Sequence, residues 1–256
     1  MAKGSLAGKT ILVTGTSKGI GAAIAGSLGA AGAHIVAHYG RDRAGTEAAT
    51  EAFADRVLPI SADFTDPANV DALWQDALAW RGGVDVLVNN AAIMRLAGGI
   101  GDTIEAWDDV WAEATNVNVL APARLMRHAV RHFQERGGGI VITISSWAAQ
   151  RGSSNPQGIA YAASKAAIMA ATKTVARGYA RENILAYIVA PGVVHTQMSL
   201  DFAESVGGVD VVTSGLTMGE MIPPGEIGEL VAFLSAGACR HLSGATFDIN
   251  GASHVR

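Results

Sequence analysis

The chain has 256 residues, 31 of them glycine, one cysteine, a formal net charge of −4 and a pI near 6.0. That length suffices for a full core in one α/β domain, and no basic run is present to neutralise a phosphate backbone, so neither nucleic acid nor an anionic membrane is an expected partner. The single Cys239 excludes an internal disulfide, residues 1–10 lack the apolar run of a secretory signal, and no apolar stretch reaches transmembrane length; the expected location is the cytoplasm.

In chain order, residues 11–14 (Ile-Leu-Val-Thr) form a short β-branched apolar run and predict a buried strand. The run leads directly into Gly15-Thr-Ser17-Lys18-Gly19-Ile20-Gly21, and small residues at helical spacing then continue over 21–31. A strand, a glycine turn and a helix start suit a dinucleotide pyrophosphate. Glycines let backbone N–H groups approach the phosphates, and the helix N-terminus carries about half a unit of positive charge. The spacing here is G-x-x-x-G-x-G and not the more general G-x-G-x-x-G.

Further strand-like runs fall at 34–39, 57–61, 84–89, 140–145, 184–190 and 246–249. Helical periodicity falls between them at 44–54, 68–80, 119–136, 161–181 and 226–235. This alternation predicts a doubly wound, seven-stranded parallel sheet with helices on both faces and ligands at the carboxyl ends of the strands. No repeat, linker or low-complexity tract divides residues 1–256, so one domain is expected. Residues 197–224, with Gly207-Gly208 and Met198, Met218 and Met221, read as a mobile substrate lid with adaptable apolar contacts.

Tyr161-Ala-Ala-Ser-Lys165 sets a phenol and an ammonium at i and i+4, on one face of a helix. A tyrosine of pKa ~10 is a poor acid–base group at neutral pH, and a fixed cation nearby is expected to lower that value. His128 and His132 also lie at i and i+4, but no third ligand is evident, so no metal is expected and an interface or surface helix is favoured.

Together, Thr14-Gly15-x-x-x-Gly19-x-Gly21, Asn89-Asn90-Ala91, Ser145-Ser146, Tyr161-x-x-x-Lys165 and Pro191-Gly192 occur in the order and approximate spacing of a short-chain dehydrogenase/reductase. The resemblance runs from Gly8 to about Gly251 and is nearest to the 3-oxoacyl-acyl-carrier-protein reductase-like branch. It implies a hydride transfer between a nicotinamide and a small carbonyl or secondary-alcohol substrate. Tyr161 would be the general acid, Lys165 would tune it and hold the nicotinamide ribose, and Ser146 would polarise the carbonyl. Asn118 matches the asparagine that anchors a proton-relay water. Ser146 and Tyr161 are fifteen positions apart where the family more often shows about thirteen, which places extra length in residues 151–156 and keeps Ser145 open as the alternative polariser.

The resemblance also implies a cofactor pocket. Asp63 would bond the adenine amino group, with Phe64 beside it; Asn90 and Ala91 would pack on the adenosine ribose. Pro191, Gly192, Val194 and Thr196 would hold the carboxamide, and the glycine loop with Ser17 and Ile20 would hold the phosphates. An NAD enzyme usually ends its second strand in an acid, whereas this chain has Tyr39, Gly40 and Arg41. Arg41 and Lys18 could together face a 2′-phosphate, so NADP(H) is favoured over NAD(H). Trp147 reads either as pocket wall or as a core or interface residue, and His195 could reach the site. A homotetramer through helices is implied, with small residues of helix 161–181 and apolar residues of helix 119–136 allowing close approach. The alternative outside enzymology is a dinucleotide sensor or scaffold on the same fold.

Overall fold

The computed structural model describes residues 5–255; residues 1–4 and 256, which belong to the expected domain and in part to the stretch read for a leader, lie outside it. Strand β1 (Thr10–Thr14) is buried along its whole length, and its side chains alternate between two cores. Ile11 and Val13 join one apolar cluster with Ile24, Leu28 and Val231; Leu12 joins the other with Leu73, Leu125 and Ile168. This period-two alternation between two apolar faces is what a strand covered by helices on both sides requires.

Around β1 stand β2 (His34–Tyr39), β3 (Val57–Ser61), β4 (Val86–Asn89), β5 (Gly139–Ile144), β6 (Ile184–Pro191) and β7 (Thr246–Ile249). All pair in parallel in the order β3-β2-β1-β4-β5-β6-β7. The expected seven-stranded sheet is therefore present, and its order reverses between β1 and β4. A crevice opens at the carboxyl ends there, because the flanking connections leave to opposite faces.

Helix α1 (Gly19–Ala30) follows β1, and α2 (Arg43–Thr50) follows β2 with Asp42 accepting from Gly45 N at 2.8 Å as its cap. The expected helix over 44–54 stops early. Beyond Thr50 a 3₁₀ turn follows in which Phe53 leaves helical geometry, and its ring packs over Gly29 of α1. Helix α3 (Pro67–Arg81) starts with Asp66 accepting from Ala68 N at 2.9 Å and with Pro67 in the first turn, where its missing N–H costs nothing.

The sequence pattern omitted α4 (Ile104–Thr115), capped by Thr103. This helix is acidic on one side and carries Trp107 and Trp111, 5.2 Å apart, so its apolar stripe is short. It passes through one π-helical turn, Asn116–Leu120, into α5 (Ala121–Arg136); the helix expected from 119 is thus the second half of a longer one. Such π turns concentrate at functional positions. The remaining helices are α6 (Ala148–Arg151), α7 (Ile159–Tyr179), α8 (Gln197–Ser205), α9 (Val209–Ser214) and α10 (Pro224–Ala236). No helix among the described residues is long and apolar enough to cross a membrane.

Candidate active site

The crevice at the ends of β1 and β4 is shaped by backbone. Gly15 has φ +74°, and a Cβ there would lie 2.9 Å from Ala91 Cα. A Cβ on Gly21 would lie 1.8 Å from the Gly15 carbonyl oxygen, so only glycine lets α1 begin this close to the loop. The Asn90 amide closes the unit, donating to Thr14 O at 2.8 Å and Gly15 O at 3.1 Å. In return, Thr14 Oγ1 accepts from Asn90 N at 2.9 Å and Ala91 N at 3.0 Å. Lys18, at the N-cap of α1, makes no side-chain cap bond, so the first turn keeps its N–H groups and dipole facing the crevice. A Cβ at Gly15 or Gly21 would push this cradle apart, and the helix-start N–H groups that it presents suit a diphosphate.

Gly15 and residues Ser17 through Gly21 line a cavity of about 250 Å³. Asn90, Ala91, Tyr161, Lys165 and Thr196 close its other sides. Other expected contacts stand apart from it. Arg41 is exposed beyond β2, and its charge acts on Asp63. The Asp63 carboxylate accepts from Thr65 N at 2.9 Å and Thr65 Oγ1 at 2.8 Å, bonds that hold it below the usual carboxylate range. The Phe64 ring is buried, so any contact to a ligand falls to its backbone. Val194 is also buried, bridged to Ile222, while Pro191 pairs with Ile249 at the end of β6.

His38 escaped the sequence reading. It sits opposite Thr14 in the β1–β2 register, 3% exposed, and stacks on Phe64 with ring centres 4.2 Å apart. Its Nδ1 accepts from Gly15 N at 3.2 Å and its Nε2 donates to Ala62 O at 3.0 Å, which fixes one neutral tautomer. Burial pulls its pKa down to about 4. The sequence signal for it was only a polar ring directly after the apolar Ile35, Val36 and Ala37; a buried polar ring needs partners, and the loop supplies one.

The two serines divide cleanly. Ser145 Oγ donates to Lys165 O at 3.0 Å, a bond that ties β5 to α7. Ser146 Oγ interacts with the Tyr161 phenol and accepts from Ala148 N at 3.1 Å. Lys165 is 4% exposed; its Nζ donates to Ile144 O at 2.9 Å and stands 5.8 Å from the centre of the Tyr161 ring. Burial lowers its pKa to about 8. The phenol itself is pushed up by burial, against a smaller lowering from Ser146. This reverses the expected direction for Tyr161. The ammonium gives one N–H to a carbonyl and is itself desolvated, so withdrawal from water dominates.

Asn118 lies in the π turn and is 2% exposed. Its Oδ1 accepts from Ile93 N at 2.9 Å, while Nδ2 donates to Ile93 O at 2.9 Å and Ser164 Oγ at 3.0 Å. Ser164 in turn donates to Tyr161 O at 2.7 Å. Both amide protons of Asn118 are therefore engaged in bracing the loop after β4 against the turn of α7 that bears the phenol.

A second cavity of about 340 Å³ adjoins the first, and Tyr161 and Met198 line both. Ser146, Trp147, Gly192 and Phe202 belong to the second. Trp147 is thus pocket wall. Of the three methionines read as lid contacts, only Met198 faces this space; Met218 is 68% exposed and Met221 is buried, both beside Ile249 and Asn250. His195 is exposed and lines neither cavity. His128 Nε2 meets Asp71 Oδ1 at 2.7 Å, and His132 Nε2 accepts from Val84 N at 3.2 Å; the two rings are occupied between α3 and α5.

Comparison with known proteins matches residues 9–206 to the short chain dehydrogenase family. A 3beta-hydroxysteroid dehydrogenase of Eggerthella lenta is 33% identical, covering 96% of this chain and 94% of its own length. The 3-oxoacyl-acyl-carrier-protein reductase of Escherichia coli is 31% identical over 97% of this chain and 98% of its own. A short chain dehydrogenase from Burkholderia cenocepacia, solved in complex with NADP, superposes with a TM-score of 0.88 at 33% identity, covering 98% of this chain and all of that one. With a family match over most of its length and relatives of this similarity, the chain belongs to the short-chain dehydrogenase/reductase family, oxidoreductases that act on a CH–OH/C=O pair with a nicotinamide dinucleotide.

Proposed function

We propose that this protein is an NADP(H)-dependent reductase of a small carbonyl compound, with NAD(H) as the alternative cofactor. The observation that carries the reading is the meeting of the two cavities at Tyr161, with Ser146 on one side and Lys165 on the other. A bound nicotinamide supplies the hydride. Tyr161, held protonated at neutral pH by its burial, donates its proton to the carbonyl oxygen, and Ser146 donates a hydrogen bond to the same oxygen. Lys165, the buried cation beside the phenol, holds the ribose hydroxyls and stabilises negative charge on Tyr161 after transfer. Asn118 serves as the brace for α7. The segment 197–224, as α8, α9 and the turn beyond, covers the substrate as a lid.

The NADP(H) preference rests on Tyr39, which is buried where an acid would bond a 2′-OH, and on the exposed cations Lys18 and Arg41 flanking the loop. NADPH is expected to bind roughly ten- to a hundredfold more tightly than NADH, with Arg41→Ala narrowing the gap. Equal affinities in a calorimetric titration would sink this preference. NADPH oxidation with a panel of ketones separates the reductase from a non-catalytic sensor. A cytoplasmic homotetramer is the proposed assembly, supported by the exposed Ile104 at the start of α4 and Leu120 just before α5; light scattering should report about four times 26.3 kDa, and a monomer mass would refute it.

A further inference from the structure

The longer stretch between Ser146 and Tyr161 ends α6 at Arg151 and then supplies Gly152, Ser153 and Ser154 to the wall of the second cavity. Arg151 is the sole charged side chain on that wall among the described residues. Its guanidinium carbon stands 4.8 Å from the centre of the Trp147 ring. No described carboxylate pairs with Arg151, a property it shares with several surface arginines, none of which lines this cavity. The neighbouring Gln150 takes the Asp248 carboxylate instead, at 2.7 Å.

The rest of this wall is largely apolar, with Met94, Val193, Phe202 and Leu216. A guanidinium held over an indole ring can keep N–H groups free and loses little freedom when they are used. Those N–H groups match two oxygens of an anion. Arg151 follows Ser146 by five residues of tight helical turn, on the order of 8–10 Å of rise. We infer that the substrate is an apolar ketone carrying an anionic oxygen group, carboxylate or phosphate, several bonds from its carbonyl, and that Arg151 binds that group. The inference rests on the reading of this cavity as the carbonyl-substrate site.

The test uses three methyl ketones of one chain length: an (ω−1)-keto acid, its methyl ester and the corresponding keto phosphate. Wild-type kcat/KM is expected to favour at least one anion over the ester by about ten- to a hundredfold, through KM, with added salt shrinking the advantage. The better of the two anions identifies the group. Arg151→Gln should bring the ratio to about one, and Arg151→Lys should restore part of it. A wild-type ratio near one, or a ratio that Arg151→Gln leaves intact, overturns the inference while turnover of the ester keeps the reductase reading standing. If no ketone oxidises NADPH or NADH, the reductase reading falls, and calorimetric titration of the hydroxy acid and the hydroxy phosphate into protein with NADP⁺ decides the rest. Binding lost in Arg151→Gln supports the anion site; equal binding, or none to wild type, overturns it.

Discussion

The two cavities that meet at Tyr161 are built from different materials. The dinucleotide side is made by main chain at strand ends, with Gly15, Gly21, Thr14 and Asn90 fixing one another through short bonds. The substrate side is made by side chains from distant segments, with Met94 after β4, Trp147 and Arg151 at the two ends of α6, and Phe202 on α8. The first tolerates almost no change of shape; the second can be relined without disturbing the sheet. A fold divided in this way can keep one cofactor and change substrates by varying loops.

The sharpest way to separate the halves acts at their meeting point. Tyr161→Phe should lower kcat by about 10²–10⁴-fold, because only the proton-transfer group is removed. NADPH affinity measured by calorimetry should stay within a few-fold of wild type. Retention of more than about a tenth of the rate would remove Tyr161 from its proposed role. Its raised pKa gives the pH dependence a sign. The phenol is loaded with its proton at neutral pH, so reduction is supported there, while oxidation, which needs the phenolate, should rise as the medium becomes alkaline.

A second pair of variants tests the rigidity of the dinucleotide side within one helix. Gly21→Ala drives a Cβ into the Gly15 carbonyl and the Asn90 amide, so NADPH binding should fall by more than about tenfold. Gly26→Ala lies in the same α1 with open space around it and should raise stability by about 0.4–1 kcal/mol. Similar, mild effects of the two substitutions on NADPH binding, read by calorimetry beside thermal melts, would show that the loop yields more readily than its geometry implies.

The same division explains what the sequence revealed. A backbone-built cradle must be spelled in residues that lack side chains or cap turns, so Gly15, Gly19, Gly21 and Asn90 are visible in one dimension. The Tyr161/Lys165 pair is visible because a helix converts a spacing of four into contact. His38 is not, because its function depends on which strand lies beside β1, a fact of topology. The direction of the Tyr161 pKa was hidden for a related reason: spacing gives the proximity of a cation but says nothing of the water excluded around both groups. The substrate wall was least legible. Met218 and Met221 looked equivalent to Met198, and only the turn after α9 carries them away to the end of β7.

The smallest expected effect concerns what the meeting point costs the fold. Lys165 is buried as a cation, with its pKa drawn from 10.5 to about 8. Below pH 8 both folded and unfolded chains hold the proton, and the folded state bears the whole desolvation cost, on the order of 3 kcal/mol. Between about pH 8 and 10.5 the unfolded chain holds a proton that the folded one has shed, so stability conferred at this position rises with pH. Lys165→Met removes the charge but leaves the Ile144 carbonyl without its donor, which offsets part of the gain. The variant should be more stable than wild type by about 1–3 kcal/mol at pH 7, roughly 2–4 °C in Tm per kcal/mol for a chain of this size, and should lose turnover. The stability gap should close as pH climbs toward 10. A Lys165→Met protein that melts below wild type at pH 7, or a gap that does not move between pH 7 and 10, would show that Lys165 is a satisfied structural cation and that the active site exacts no stability from the fold.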